Sequence, residues 1–199
     1  MDFFGADPDE NLLPCDGEAY YHGSVFGESE CEEILGSLIE GIPWRHDQAV
    51  MFGKRIVTAR KVAWFADGGV SYSYSGTVKR AHLWTELLLR LKSAAQIRTG
   101  ATYNSCLLNL YHDGSEGMGW HSDDEKSIEV GSSIASLSFG AERKFFFRNK
   151  ATEEKVSVML ENGGLLNMKG ETQRFWQHQL PKTKKVDEPR VNLTFRRMS

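Results

Sequence analysis

Several things this sequence lacks narrow what it can be. No apolar run approaches the roughly 18 residues of a membrane-spanning helix, so no membrane association is expected. Cysteine is scarce. Cys15, Cys31 and Cys106 are an odd number at wide spacing, which suits neither a disulfide framework nor a zinc ribbon. Reduced thiols in a cytosolic setting are expected. The stretch from Met1 to Asp16 has neither the basic n-region nor the apolar h-region of a secretory signal. A protein that is not secreted is expected, cytoplasmic in a bacterium or nuclear in a eukaryote. No internal repeat or low-complexity tract is present. Basic residues are almost missing from the first quarter of the chain. Residues 1–48 hold twelve acidic side chains and one basic one, a net −11, whereas residues 49–199 hold 23 basic and 15 acidic, a net +8. The overall −3 argues weakly against a polyanionic partner, but the asymmetry hints at a nucleic-acid surface on the later part.

What is present suits one globular domain. The 199 residues are 40% hydrophobic and 26% charged, and a monomer is expected. Residues 1–18 read as an acidic, loosely structured arm. Ser29 and Glu32 form a capping-box pattern, and Cys31, Ile34, Leu35, Leu38 and Ile39 follow helical spacing until Gly41 and Pro43. A second helix is predicted from about Leu83 to Ile97, with Trp84, Leu87, Leu88 and Leu91 as its stripe. After Gly100 short β-type runs follow one another: Cys106–Tyr111, Ile134–Phe139, Lys144–Phe147, Val156–Leu160, Leu165–Met168 and Val191–Phe195. Their spacing suggests a sandwich or barrel. Val50–Gly76 reads as strands or hairpins flanking that core. The division expected is the arm at 1–18, helices and a lid at 19–100, and the β core at 101–199, all within one compact unit.

Two patterns in the β region carry chemistry. In Trp120-His121-Ser122-Asp123-Asp124-Glu125, His121 and Asp123 lie two apart and point the same way on an extended chain. Two His and one carboxylate on one face of a metal make the facial triad of Fe(II) oxygenases. Of six histidines, only His178 follows a long β-rich stretch and suits the third position. His-x-Asp alone is common in surface turns, and an acidic run is usually a solvated loop. The second pattern is Arg190-Val191-Asn192-Leu193-Thr194-Phe195-Arg196, a strict alternation with Arg190, Asn192, Thr194 and Arg196 on one side. An edge strand with one wet face gives the same alternation. Two arginines beside an amide and a hydroxyl also cradle a dicarboxylate, because guanidinium binds carboxylate through paired hydrogen bonds. Asn109 and Tyr111 share a strand face and complete such a set.

Asn109-Leu110-Tyr111, His121-Ser122-Asp123-Asp124-Glu125, Ile134–Gly140, His178-Gln179-Leu180-Pro181 and Arg190–Arg196 occur in an order that resembles the AlkB family of Fe(II)/2-oxoglutarate-dependent dioxygenases over roughly residues 50–199. The resemblance implies a mainly β (α+β) fold, a double-stranded β-helix or jelly roll with flanking helices and a nucleotide-recognition lid. It implies that His121, Asp123 and His178 bind Fe(II). It implies that Asn109, Tyr111, Arg190, Asn192, Thr194 and Arg196 bind 2-oxoglutarate, Arg190 pairing with the distal carboxylate. Val50–Lys54, Arg60-Lys61 and Gly69–Gly76 further resemble the lid of homologues acting on duplex DNA. By that resemblance Tyr72 and Tyr74 stack on a flipped base, Phe52 is an apolar wedge, and Arg60 meets phosphate. Asp124 and Glu125 would face a cationic lesion such as 1-methyladenine or 3-methylcytosine. The activity implied is oxidative demethylation of alkylated DNA with Fe(II), O2 and 2-oxoglutarate, releasing succinate, CO2 and formaldehyde. A same-fold dioxygenase acting on RNA or protein, a nucleic-acid-binding module with a vestigial site, and a zinc hydrolase with the same ligands are the rivals.

Overall fold

Residues with period-two patterning pair into sheets because only pairing satisfies their backbone N–H and C=O groups once the apolar side chains are buried. The computed structural model describes residues 7–51, 54–68, 71–74 and 77–199, with the backbone alone at 48–51, 54–56, 71–74 and 77–80. It contains β1 (Glu18–Ser24), α1 (Glu28–Gly41), β2 (Arg45–Met51), β3 (Lys54–Ala66), β4 (Ser71–Tyr74), β5 (Thr77–Arg80) and α2 (Glu86–Thr99). There follow β6 (Ser105–Tyr111), β7 (Met118–His121), β8 (Ile134–Gly140), β9 (Arg143–Asn149), β10 (Lys155–Leu160), β11 (Gly164–Lys169), α3 (Thr172–Phe175), β12 (Trp176–Leu180) and β13 (Arg190–Arg196). A seven-stranded sheet runs β1-β11-β8-β13-β6-β3-β2, and a four-stranded sheet runs β10-β9-β12-β7. Neighbouring strands are antiparallel throughout both. β4 and β5 form a separate hairpin. This is the jelly-roll arrangement, mainly β. Among the described residues no helix is long and apolar enough to cross a membrane.

The large sheet has a core on each face. Leu108, Leu137, Val191, Leu193 and Phe195 pack against Ile34 and Leu38 of α1 and Leu88, Leu91 and Ala95 of α2. Tyr111, Ile134, Leu166 and Met168 meet Phe145, Phe147, Trp176 and Leu180 of the small sheet. β13 lies in the middle of the large sheet, so its polar alternate side chains face inward and not outward to water. Arg190, Asn192 and Thr194 are all buried.

The helices differ from expectation at their starts. α1 begins one residue before Ser29, Gly27 is its N-cap, and no side chain caps it. α2 begins three residues later than predicted because Thr85 is its N-cap, accepting a hydrogen bond from the Leu88 N–H. It ends at Gly100, whose left-handed backbone (φ 68°) suits glycine.

The larger difference is the arm. Residues before β1 are not loose from residue 11 onward. Asn11 Oδ1 accepts from the N–H groups of Leu13 (3.1 Å) and Ala19 (2.9 Å), and its amide nitrogen donates to Gly17 O. Leu13 is 2% exposed within the inter-sheet core. Trp176 Nε1 donates to Cys15 O at 2.9 Å. Acidic composition concealed one apolar anchor. Leu13→Ala should therefore cost about 2–5 kcal/mol, measured by urea unfolding. A change under about 0.5 kcal/mol, as for a surface site, would mean that the segment is not anchored.

Candidate active site

The two histidines, 57 residues apart in sequence, are brought together by strand register. β12 pairs with β7 so that His178 lies directly opposite His121, with a register shift before Leu180 meets Met118. Cross-strand neighbours share a face, and the two imidazole centroids are 4.3 Å apart. Asp123 follows the end of β7. Its backbone N–H donates to Gln173 Oε1 at 2.8 Å, and the Ser122 hydroxyl donates to Trp176 O at 3.0 Å. Both bonds tie this turn to the segment that leads into His178. The result is that ligand atoms of His121, Asp123 and His178 all lie within 4.8 Å of one another.

The protonation of this trio suits a metal. His121 Nδ1 lies 2.8 Å from Gly119 O; donating there leaves the Nε2 lone pair free, and Nε2 is 3.8 Å from Asp123 Oδ1. His178 is buried, and Phe145 stacks on its ring at 5.4 Å. Burial, then the neighbouring His121, pushes its pKa down to about 3, so it is neutral at physiological pH. Burial works to raise the pKa of Asp123, but Arg196, His178 and His121 together bring it down to about 2. Two imidazoles and one carboxylate are the donor set that suits a divalent iron.

The second half of the site lies on the inner faces of β13, β6 and β8. Register sets Arg190 opposite Tyr111 and Gly140, and Asn192 opposite Asn109 and Ser138. Gly140 has φ 86°, and a Cβ there would collide with Pro189 O, so the end of β8, opposite Arg190, requires glycine. Arg190 is 2% exposed. One of its nitrogens donates to Ser138 Oγ at 2.8 Å, and its guanidinium lies 5.6 Å from the Tyr111 ring centroid. Burial pushes its pKa down to about 10. Among the described residues it has no carboxylate partner, and its Nε and one end of the Asn109 amide make no hydrogen bond. A buried cation without a counter-ion is costly, and an anionic ligand would supply one. A dicarboxylate therefore fits this cradle.

A single cavity joins the two halves. His121, Asp123, His178, Asn109, Tyr111, Arg190, Asn192, Thr194 and Arg196 all line it. Asn192 and Thr194 are already engaged: the Asn192 amide donates to Ser136 Oγ at 2.8 Å, and the Thr194 hydroxyl donates to Asn192 Oδ1 at 3.1 Å. Arg196 differs from expectation in its main contact. It pairs with Asp123 at 2.8 Å and stands 3.9 Å from Glu125, so it joins the metal-side carboxylate to the cradle.

The substrate-side residues are less concentrated. Asp124 is exposed beside the triad, whereas Glu125 is turned toward Arg196. Arg60, expected at phosphate, is instead 8% exposed and held by Asp47 at 2.8 Å. It also contacts Met118 Sδ, at the cavity wall. Burial of the guanidinium beside that carboxylate removes Arg60 from the accessible surface. Tyr72 and Tyr74 lie on β4. Phe52 lies outside the described residues. Sequence reasoning missed Ser136, Ser138 and Gln173. The two serines carried a signal, lying two apart inside an otherwise apolar strand and so on one face. Gln173 carried none.

Comparison with known proteins agrees with this geometry. Residues 18–196 match the 2OG-Fe(II) oxygenase superfamily. The chain is 37% identical over 202 residues to the DNA oxidative demethylase ALKBH2 of Mus musculus, covering 96% of this chain and 84% of that one. It is 39% identical over 185 residues to the ALKBH2 of Homo sapiens, covering 87% and 71%. Against alpha-ketoglutarate-dependent dioxygenase alkB homolog 3 of Homo sapiens it is 40% identical over 177 residues, covering 84% of this chain but 61% of that one. The solved structure of OsALKBH1 superposes with a TM-score of 0.60 at 18% identity, covering 93% and 99%, and supports the fold. The chain is a member of the 2OG-Fe(II) oxygenase superfamily, a class that uses Fe(II), 2-oxoglutarate and O2. Within that class it belongs to the AlkB family.

The isolated buried charge makes a test possible without any ligand. Arg190→Met should leave the ligand-free protein as stable as wild type or more so, since replacing an uncompensated buried ion by an apolar side chain removes its desolvation cost. Chemical denaturation in the absence of metal and 2-oxoglutarate reads this. A loss of about 3–5 kcal/mol, typical of breaking a paired buried ion, would show that a protein group balances the charge.

Proposed function

We propose that this chain demethylates N-alkylated bases in DNA by oxidation, with lesions such as 1-methyladenine and 3-methylcytosine as substrates. The observation that carries the reading is one cavity that holds both a His-Asp-His set and a buried arginine with no carboxylate partner among the described residues. The metal, when bound, supplies activation of O2 coupled to oxidative decarboxylation of 2-oxoglutarate. His121, Asp123 and His178 would hold it. Arg190 takes the distal carboxylate of 2-oxoglutarate through its fork, with Tyr111 and Asn109 beside it. Asn192 and Thr194 fix the cradle wall. Arg196 holds Asp123 ionised, so the carboxylate is ready to ligate. Phe145 and Phe147, packed around His178, exclude water from its buried side. Hydroxylation of an N-methyl group gives a hemiaminal, whose breakdown returns the N–H base and formaldehyde.

The relatives named as DNA oxidative demethylases motivate the choice of polymer. Asp124, exposed next to the triad, would face a cationic base, because a methylated adenine or cytosine ring carries positive charge. Tyr72 and Tyr74 are candidates for stacking on that base, and Phe52 for filling the gap left in a duplex. The discriminating experiment measures succinate and formaldehyde with methylated DNA, methylated RNA and a methylated peptide, each with and without iron. Formaldehyde from RNA alone, or from peptide alone, would overturn the DNA assignment.

Four substitutions follow from the site. His121→Ala, Asp123→Ala or His178→Ala should abolish iron-dependent succinate formation and keep the far-UV spectrum, because the sheets pair without the metal; near-normal turnover in any one would remove that residue from the metal set. Arg190→Lys should raise the KM for 2-oxoglutarate by roughly tenfold to a hundredfold, the worth of a charge-assisted hydrogen bond of about 1.5–3 kcal/mol. An unchanged KM would place the distal carboxylate elsewhere.

A further inference from the structure

The four-stranded sheet has a face that the proposed chemistry does not use. Its inner side carries His178, Phe145, Phe147 and Trp176. Its outer side carries the alternate residues: Lys144, Phe146 and Arg148 of β9, Gln177 and Gln179 of β12, Trp120 of β7, and Lys155 and Ser157 of β10. All of these are partly or fully exposed. Both long helices pack on the other sheet. No aspartate or glutamate occurs in any of the four strands, although the protein is acidic overall at −3.

The groups on this face are ordered, not scattered. Pairing sets Ser157 opposite Phe146, Phe146 opposite Gln179, and Arg148 between Lys155 and Gln177. The Arg148 guanidinium lies 4.7 Å from the Trp120 ring centroid and donates to Gln177 Oε1 at 2.8 Å. Lys144 Nζ lies 5.3 Å from the Phe146 ring centroid. Two aromatic rings each have a cation beside them, and the amide groups of Gln177 and Gln179 lie on the same face. Rings that stack with bases and cations that meet phosphates are what a single nucleic-acid strand requires of a surface. Lys144, Arg148 and Lys155 give this face a positive charge that complements a polyanion. Glu153, at the β9–β10 turn, stands 3.4 Å from Arg148, an exposed pair of small worth that a phosphate can replace.

We infer that the outer face of β10-β9-β12-β7 is a second nucleic-acid contact, a stacking platform for the strand that flanks the base in the active site. β7 is the edge strand of this sheet, and Trp120 directly precedes His121. A strand whose base occupies the cavity beside His121 reaches the platform by rounding one β-strand. The inference rests on the DNA reading above and extends it from the base to the polymer.

The test uses the full chain and unmethylated oligothymidylate of about 4 to about 16 nucleotides, a span that brackets the usual single-strand site sizes. Affinity, read by fluorescence anisotropy, should rise with length. Phe146→Ala should weaken binding of the longest oligonucleotide about fivefold to a hundredfold, the effect of losing one stacked base. Lys144→Glu combined with Lys155→Glu, at two exposed positions that cannot affect the core, should weaken it too and flatten its dependence on salt. Neither change should alter turnover of a methylated oligonucleotide of about three nucleotides, too short to leave the cavity. Affinity independent of length, or equal affinity of wild type and the double-lysine variant for the longest oligonucleotide, overturns the platform. The DNA reading fails separately, if no methylated oligonucleotide of any length yields formaldehyde while length-dependent binding persists.

Discussion

The charge of Arg190 is the constraint around which the interior is arranged. It stands on the central strand of the large sheet, 2% exposed, with a serine hydroxyl and a tyrosine ring as its company. A guanidinium in that position raises the free energy of the ligand-free fold, and the surrounding core has to offset it. Val191, Leu193 and Phe195 do so from the opposite face of the same strand, all fully buried under the helices. The strand therefore combines two roles that alternate residue by residue: one face drives folding and the other holds a charge in readiness for an anion. A cradle assembled in advance loses little freedom when its ligand arrives, which is how rigidity contributes to affinity.

The metal half of the site is organised on a different principle. Its ligands stand at the end of a short edge strand and on that strand's neighbour, and they meet because antiparallel register aligns His178 with His121. The third ligand is placed by side-chain hydrogen bonds, through Gln173 and Ser122. Arg196 then links the two halves, since it lines the cradle and pairs with Asp123. Charge at one end of the cavity is thereby coupled to charge at the other. Burial works to raise the pKa of Asp123, and Arg196 with the two histidines brings it down.

The small sheet shows how one set of strands serves two surfaces. Alternation sends His178 and Phe145 inward and Gln177, Gln179 and Phe146 outward. The large sheet uses its second face for helix packing, whereas the small sheet leaves its second face to solvent. That asymmetry follows from the order of elements. Both long helices precede β6, and their apolar stripes are matched to the side of the large sheet that carries Leu108, Leu137 and Leu193.

Local pattern in the sequence determined much of this protein. The β-type runs after Gly100 became β6, β8, β10, β11 and β13 within a residue at each end, and β9 with two more residues at its end, because alternation is a property of the extended chain itself. His-x-Asp and the Arg190–Arg196 alternation were legible for the same reason. Other features were decided only by tertiary contact. The acidic composition of the first residues gave no sign that Leu13 would lie in the core. The helix starts moved because Gly27 and Thr85, not the residues of the expected patterns, stood where the chain enters each helix. Arg60 looked like a surface cation until its neighbour across the β2–β3 bulge proved to be Asp47. The alternation of β13 suited a wet edge strand as well as a dicarboxylate cradle, and its central place in the sheet, with Arg190, Asn192 and Thr194 buried, removes the first. Sequence sets which side chains share a face, since that depends on bond geometry. Whether that face meets water, an apolar core or a ligand depends on which distant strand lies over it, and only the pairing of both sheets decides that.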